Sequence, residues 1–537
     1  MSQQNYKALK FCFDIFLIGL SGAFLVLIFP GLGIHYLAWI ALLPLLLVIK
    51  HSGLLKSILF SLITGFISHG GFLWWALKVD EMDQLKFILV ILVASCYFGL
   101  FGLFAYYFNK KIPQWNPLTF STTWVLLEYL CSHLSFLSYP GGILGYSQYC
   151  ILPIARISAF TGVYGVSFII IVVNTVLAEL IHPYLSIYKT EDFWTGPMRN
   201  KQRIPLYILT VVLVIFFGSI FYRMPSLTKK GNISNLKVGI VQGNIYLSDL
   251  DDYNYRKKVF QKYYRLTNAV SDFNPEFIAW PSSSVPGRIP ANRFLVRLLS
   301  NLAQETRSFL LIGSSGYDKL NPEERESKKA ANSAFLFSPQ GKILGRYDKI
   351  RLLPFDEYLP LRGYMKWPSW VINSDWVDAQ PGKELTIFNM NNVRFGVMIC
   401  WENYFPDLFR KMAAKGVDFM VSMTNEGFSE NPSPHYQILA LNVFRAIENH
   451  VSIVRTASTG VSAIVDPTGI ITAKVEDRNK NDVNVEGYTV GELPLSRKRS
   501  FYNRHGDWFI YSLLVVFIAF IFLALLDKTH LFSKKSQ

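Results

Sequence analysis

The sequence predicts an integral membrane α-helical bundle joined to an extracytoplasmic α/β domain. Three observations carry that expectation. Hydrophobic residues make up 51% of the 537 and charged ones only 17%, a balance rare in a soluble chain of this length. The apolar residues gather into long runs before residue 225 and again near the C-terminus. The polar stretch between them alternates short, often β-branched apolar runs with helix-like segments, the pattern of buried strands layered between helices.

A hydrocarbon core about 30 Å thick takes roughly 20 apolar helical residues. Candidate spans are Phe11–Phe29, Ile34–Ile49, Ser57–Leu77, Leu85–Phe108, Leu118–Leu134, Ile151–Ile181 and Ile204–Phe221, with a last one at Trp508–Leu526. The second and fifth are short. The first follows Lys7 and Lys10, as a signal peptide would, but no small-residue cleavage site follows and further spans do, so it reads as an uncleaved anchor. Loop charges orient the bundle. Lys7 and Lys10, Lys50 and Lys56, Lys110 and Lys111, and Lys189 to Arg203 fall on alternate sides, while the loop around Asp80, Glu81 and Asp83 is acidic. Both termini are then cytoplasmic. Residues 1–224 form a bundle of about seven helices, 225–504 an outward-facing domain, and 505–537 a final span and tail.

Within 225–504, strands are expected at Leu236–Val241, Phe277–Trp280, Phe309–Ile312, Ala334–Phe337, Phe395–Cys400, Phe419–Met423 and Val451–Thr456. Helices are expected at Tyr253–Asp272, Arg293–Thr306 and Tyr436–Asn449. The net charge of +15 comes without any groove-reading or base-stacking motif, so nucleic acid is set aside in favour of an anionic membrane surface. Four of the five cysteines lie in or beside apolar runs without metal-ligand spacing, which argues against a disulfide framework and against a metal site. No cofactor is expected. His69 and His133 read as buried polar contacts, since no second ligand stands at helical spacing.

Cys400 is the fifth cysteine and the only one in the polar half. It ends the apolar run Gly396-Val397-Met398-Ile399 and is followed by Trp401 and Glu402. A lone cysteine there is often a small buried hydrophobe; as a nucleophile it would need a base or a cation. Lys349 offers a cation, and Glu357 and Glu402 offer carboxylates.

The motifs, taken in order, resemble the nitrilase superfamily, and the whole chain resembles the bacterial apolipoprotein N-acyltransferases. The resemblance runs through Val241-Gln242-Gly243-Asn244-Ile245, Ala279-Trp280-Pro281, Tyr347-Asp348-Lys349 to Asp356-Glu357-Tyr358, Ile399-Cys400-Trp401-Glu402, Thr424-Asn425-Glu426, Arg445-Ala446-Ile447-Glu448, Thr459-Gly460-Val461 and Asp466-Pro467-Thr468-Gly469. In the bundle it includes Glu128 and Gly145-Tyr146-Ser147-Gln148. It implies a nitrilase-like α-β-β-α sandwich (a CN hydrolase domain) in the periplasm, on a multi-pass protein of the bacterial inner membrane. It also implies a two-step transfer: Cys400 takes a fatty acyl chain from a phospholipid as a thioester, then passes it to the N-terminal amine of a diacylglyceryl-cysteine apolipoprotein. By the same resemblance Lys349 and the backbone N–H of Trp401 stabilise the oxyanion, and Glu357 and Glu402 are supporting acids.

One position departs from that family. Its base glutamate follows Trp-Pro directly, and here Ser282 occupies the place in Trp280-Pro281-Ser282-Ser283-Ser284. A hydroxyl orients by hydrogen bonding but exchanges no protons near neutral pH. Three readings stay open: an inactive or divergent paralogue binding lipid or lipoprotein, an altered enzyme, or transfer of the base role to Glu357 or Glu402. A membrane-tethered amidase is a further alternative. Phe428-Ser429-Glu430 and Ser458 also differ from the family pattern. The aromatic stretch with Trp367, Trp370 and Trp376 resembles the family's substrate arm, dipping into the lipid interface. Glu128 and Arg156 are intramembrane charges, costly and so expected to be functional, paired with each other or with a lipid headgroup.

Overall fold

The structure is a computed structural model. It describes residues 3–79, 82–185, 187, 207, 210, 213–214, 218, 234–246, 253–285, 287, 289, 291–314, 331–368 and 378–526. The chain divides into two compact units, Met1–Met224 with Asp507–Gln537, and Pro225–Gly506.

The first unit is helical: α1 (Gln3–Leu27), α2 (Leu43–Ile49), α3 (Leu54–Phe72), α4 (Gln84–Lys111), α5 (Asn116–Ser132), α6 (Leu152–Ala155), α7 (Ser158–Thr161) and α8 (Val163–Ile181), with a last helix at Trp508–Leu526. Among the described residues five helices are long and apolar enough to cross a membrane, namely α1, α3, α4, α8 with its extension to Tyr184, and Trp508–Leu526. Small residues let them approach closely. A Cβ on Gly102 of α4 would lie 2.3 Å from the Ser57 carbonyl oxygen of α3.

Two expected spans are broken. Ile34–Ile49 is a 3-10 turn, His35–Trp39, followed by the seven-residue α2 with Pro44 in its first turn. Ile151–Ile181 is interrupted at Gly162, whose φ of +71° ends α7 before α8 begins. Backbone that leaves the helix at membrane depth must find partners inside the protein, and buried polar side chains supply them. Asn174 Oδ1 accepts from the N–H groups of Leu42 (2.8 Å) and Leu43 (3.1 Å), while its Nδ2 donates to Ala38 O. Glu128 Oε1 accepts from the Leu144 N–H (2.8 Å) and the Trp124 indole (2.9 Å), and Ser167 Oγ accepts from Gly145 N–H. The buried Glu128 thus holds the irregular segment before α6, and half-buried Arg156 caps the end of α6. His69 is buried with Nδ1 2.9 Å from Gly65 O. His133 is exposed, contrary to expectation, because it lies just past the end of α5, where its Nδ1 bonds Tyr129 O. The candidate span Ile204–Phe221 lies almost wholly outside the described residues, as do Lys189 to Arg203, Asp80 and Glu81.

Among the described residues the second unit holds twelve strands: β1 (Asn235–Gln242), β2 (Phe277–Ala279), β3 (Phe309–Ser314), β4 (Ser333–Phe337), β5 (Ile343–Asp348), β6 (Ile387–Met390), β7 (Val393–Ile399), β8 (Phe419–Thr424), β9 (Ser452–Ala457), β10 (Ala463–Val465), β11 (Ile471–Lys474) and β12 (Gly487–Pro494). They form two six-stranded sheets, ordered β12-β1-β2-β3-β4-β5 and β11-β10-β9-β8-β7-β6. The central strands β1, β2 and β3 run parallel, as do β7, β8 and β9, and strands buried on both faces read as continuous apolar runs. Helices α9 (Tyr253–Ser271) and α10 (Arg293–Thr306) pack on the first sheet, and α11 (Pro406–Ala414) and α12 (Pro432–Asn449) on the second. Leu299 and Leu302 of α10 and Tyr263 of α9 bury against Trp280, Leu310 and Phe337. Between the sheets, Phe277 of β2 meets Phe395 of β7 and Phe419 of β8 at ring distances of 5.3 and 5.6 Å. This is the expected α-β-β-α sandwich.

Candidate active site

β7 delivers the thiol. Its burial runs unbroken from Phe395 to Ile399, and Cys400 then turns into a left-handed conformation, φ +51°, opening the 3-10 turn Cys400–Tyr404. A non-glycine residue there costs on the order of 1–3 kcal/mol and persists only when its surroundings over-determine it. Glu402 and Asn403 do so. Glu402 Oε2 accepts from Ile399 N–H (2.8 Å), and Asn403 Nδ2 donates to Cys400 O (3.0 Å).

The other oxygen of Glu402 reaches the opposite sheet. Oε1 accepts from the Tyr347 hydroxyl (2.8 Å) and from the N–H groups of Ile350 (2.7 Å) and Arg351 (3.2 Å). One fully buried carboxylate therefore clamps the Cys400 turn to the segment after β5, where Lys349 lies. Burial pushes the Glu402 pKa up, against the pull of the Ile399, Tyr347 and Ile350 donors and of the Lys349 charge. With both oxygens occupied, Glu402 is a positioning group.

Lys349 is 1% exposed, and its Nζ lies 2.6 Å from Glu357 Oε2. Burial alone would lower its pKa, but the Cys400 sulfur when ionised, and the Glu357 and Glu402 carboxylates, outweigh it and raise it. Glu357 Oε2 also accepts from Leu353 N–H (2.7 Å), and its Oε1 from Asn332 Nδ2 (3.4 Å). Asn332 in turn accepts from Ser282 Oγ at 3.4 Å through Oδ1, and its carbonyl accepts from Lys349 N–H at 2.8 Å. Ser282 is thus joined through Asn332 to the Lys349–Glu357 pair. Its segment lies tight on β3: a Cβ at Gly313 would stand 2.4 Å from Pro281 O and 2.6 Å from Ser282 Cα.

The thiol of Cys400 is pushed up to about 11, chiefly by burial; Lys349 pulls it down, and Glu357, Glu426 and Asp356 push it further up. At pH 7 roughly one molecule in ten thousand then carries a thiolate. The Trp401 ring packs on Tyr404 and Phe405. Of the arm, Trp367 is described: its indole donates to Pro360 O (2.6 Å) and meets Phe355 edge-on, beside the 92%-exposed Tyr364. Trp370 and Trp376 lie outside the described residues.

The structure brings Cys400, Lys349, Glu357, Glu402 and Ser282 into this one network, while Glu128 and Arg156 belong to the helical unit. Sequence reasoning passed over Asn332, which stands alone before β4.

Residues 237–500 match the carbon-nitrogen hydrolase family, and residues 21–176 match the apolipoprotein N-acyltransferase N-terminal domain. The apolipoprotein N-acyltransferase of Geobacter metallireducens is 31% identical over 507 residues, covering 93% of each chain. Apolipoprotein N-acyltransferase 2 of Treponema denticola is 30% identical over 446 residues, covering 79% of this chain and 80% of its own. An amidase from Nesterenkonia sp. of solved structure is 16% identical over 52% of this chain and 98% of its own, at a TM-score of 0.37, a likeness too weak to bear on the site. Near-full-length identity and both family matches agree, and the chain belongs to the apolipoprotein N-acyltransferase family of the nitrilase superfamily.

Proposed function

We propose that this protein transfers a fatty acyl chain from a membrane phospholipid, through a thioester on Cys400, to the α-amine of a diacylated apolipoprotein. The observation that carries the reading is the left-handed turn at Cys400, tied through Glu402 to the segment that bears the buried Lys349–Glu357 pair. Cys400 attacks the ester carbonyl, and Lys349 faces the charge that develops on the carbonyl oxygen, with the Trp401 N–H as second donor. Glu357 keeps Lys349 in place, and Glu402 keeps Cys400 and the lysine segment in register. Splitting the transfer through a thioester gives two lower barriers. Both substrates are lipid-anchored, which suits a domain carried on membrane-crossing helices. The charge pattern of the loops supports the inner membrane with the sandwich in the periplasm. A catalytically silent, lipid-binding relative is the rival reading, and Ser282 favours it.

The test is intact mass of the full-length protein in phospholipid vesicles. A hydroxylamine-labile acyl adduct is expected on the native protein and not on Cys400→Ala, and a diacylated peptide is expected to discharge it. No adduct and no N-acylated peptide would refute acyl transfer. Release of ammonia from small amides would mark an amidase.

A further inference from the structure

Arg351 carries a charge that the fold does not use up. Its backbone N–H donates to Glu402 Oε1 at 3.2 Å, so it hangs on the carboxylate that fixes the Cys400 turn. Its guanidinium lies over the Phe405 ring, 3.3 Å from the centroid. Phe405 ends that turn and meets the Trp401 ring edge-on at 5.4 Å. Among the described residues the guanidinium has one ion pair, Nη1 to Asp407 Oδ1 at 3.9 Å. That is beyond hydrogen-bond reach, and this Asp407 oxygen is itself buried without a donor. The other Asp407 oxygen is taken by Lys411 Nζ at 3.3 Å. Burial lowers the Arg351 pKa, and the Asp407 and Tyr358 charges offset it only in part. The side chain is 28% exposed, so a planar fork of five donors stands partly desolvated and open to a ligand. The chain then runs into a stretch whose Phe355, Leu361, Tyr364 and Met365 are exposed.

We propose that Arg351 binds the phosphate of the phospholipid donor and so selects glycerophospholipids over neutral lipid esters. The inference rests on the acyl-transfer reading above. A guanidinium fork matches two phosphate oxygens at once and keeps its charge, and an aromatic face beneath it leaves the N–H edges free for that contact. Asp407 meets Nη1 alone, so Nε and Nη2 stay open to a ligand. In a phospholipid the reacting ester and the phosphate hang on one glycerol, a few bonds apart. A cation tied to the same carboxylate as the Cys400 turn holds the headgroup while the ester meets the sulfur. The exposed apolar stretch after Arg351 suits the acyl chains. The diacylglyceryl group of the acceptor bears no phosphate, so the contact tells donor from acceptor. After the first half-reaction the phosphate leaves with the lysophospholipid, which clears the place for the acceptor.

The experiment measures equilibrium binding to the full-length Cys400→Ala protein in non-ionic detergent, where no turnover occurs. The probes are a short-chain phosphatidylglycerol, the diacylglycerol of the same chain length and inorganic phosphate. Each is titrated with Arg351 present, with Arg351→Lys and with Arg351→Met, and a melting curve checks that the variants fold. With Arg351 present, the phospholipid is expected to bind at least ~10-fold tighter than the diacylglycerol, the worth of one charge-assisted contact. Arg351→Met is expected to abolish that preference by weakening the phospholipid alone, and Arg351→Lys, a point charge without the fork, to keep part of it. A folded Arg351→Met protein that keeps the preference, or that loses both lipids equally, overturns the proposal, as does a parent protein with no preference. Inorganic phosphate binding as tightly as the phospholipid would mark a free-phosphate site and overturn the headgroup assignment. A protein that shows the preference yet forms no thioester when Cys400 is restored upholds the phosphate site and sinks acyl transfer. One that forms the thioester without the preference does the reverse.

Discussion

Removing the Lys349 charge should make Cys400 harder to ionise, by the worth of a unit charge a few ångströms away. The thiol stands at about 11, with burial and three carboxylates raising it and Lys349 lowering it. Below that pH the thiolate population, and with it the alkylation rate by a small neutral reagent, rises about tenfold per pH unit. A unit charge about 4–8 Å away at an effective dielectric near 20 is worth roughly 2–4 kcal/mol, or about 1.5–3 pKa units. Lys349→Met should therefore slow alkylation of Cys400 at pH 8 by about 30-fold or more. Glu357→Gln should act the other way, because it removes a charge that opposes the thiolate and releases Lys349 from its 2.6 Å pairing. The assay is iodoacetamide labelling of Cys400 followed by peptide mass spectrometry across pH 7–11, with Cys400→Ala as the blank. A Lys349→Met protein that labels as fast as the native one would refute the claim that this ammonium governs the thiol. So would a Glu357→Gln protein that labels more slowly.

Two further outcomes follow from the same contacts. Glu402→Gln offers one acceptor oxygen where four donors converge, so at least one backbone N–H meets an amide N–H; a loss of about 2–3 kcal/mol in stability, read as a lower melting temperature, should accompany slower thioester formation, and an unchanged melt would show that the clamp is dispensable. Gly313→Ala would press a Cβ to 2.4 Å from Pro281 O, and since that contact is backbone the strand must shift; a destabilisation of about 1–3 kcal/mol, measured by denaturant titration of the full-length protein, is expected with disturbed packing of Ser282.

The elements that sequence reading located are those whose environment repeats along the chain. β1 to β4 and β7 to β9 carry mostly apolar, largely buried runs because they lie inside a sheet or face the core on both sides. The four edge strands β5, β6, β11 and β12 escaped, together with three-residue β10, because an edge is partly exposed: β5 reads Ile-Leu-Gly-Arg-Tyr-Asp and buries only Tyr347 among them. The breaks at Pro44 and Gly162 were hidden for the opposite reason, since the residues around them stay apolar and a hydropathy window sees no change. What satisfies those breaks, Asn174 for one and Glu128 for the segment at Leu144, is a single residue distant in sequence. Cys400 and Glu402 were legible because they end an apolar run that reads as a strand, and Lys349 and Glu357 because they sit in the run Tyr347 to Tyr358 that resembles the family's motif. The link from Ser282 through Asn332 to Glu357 depends on side-chain directions that spacing does not encode.

The two sheets contribute differently to the site, and this decides how a change at Ser282 can be borne. The first sheet supplies Ser282 after β2, Asn332 before β4 and Lys349 after β5. The second supplies Cys400 after β7. Glu402 joins the two, with one oxygen on Ile399 N–H and the other on the Lys349 segment. Ser282 reaches the Lys349–Glu357 pair through Asn332, whose Oδ1 accepts from Ser282 Oγ while its Nδ2 donates to Glu357 Oε1. The turn at Cys400 is held separately, by Glu402 and Asn403. A change at Ser282 is therefore passed first to Asn332 on the first sheet, while the contacts that fix the Cys400 turn on the second sheet stay as they are.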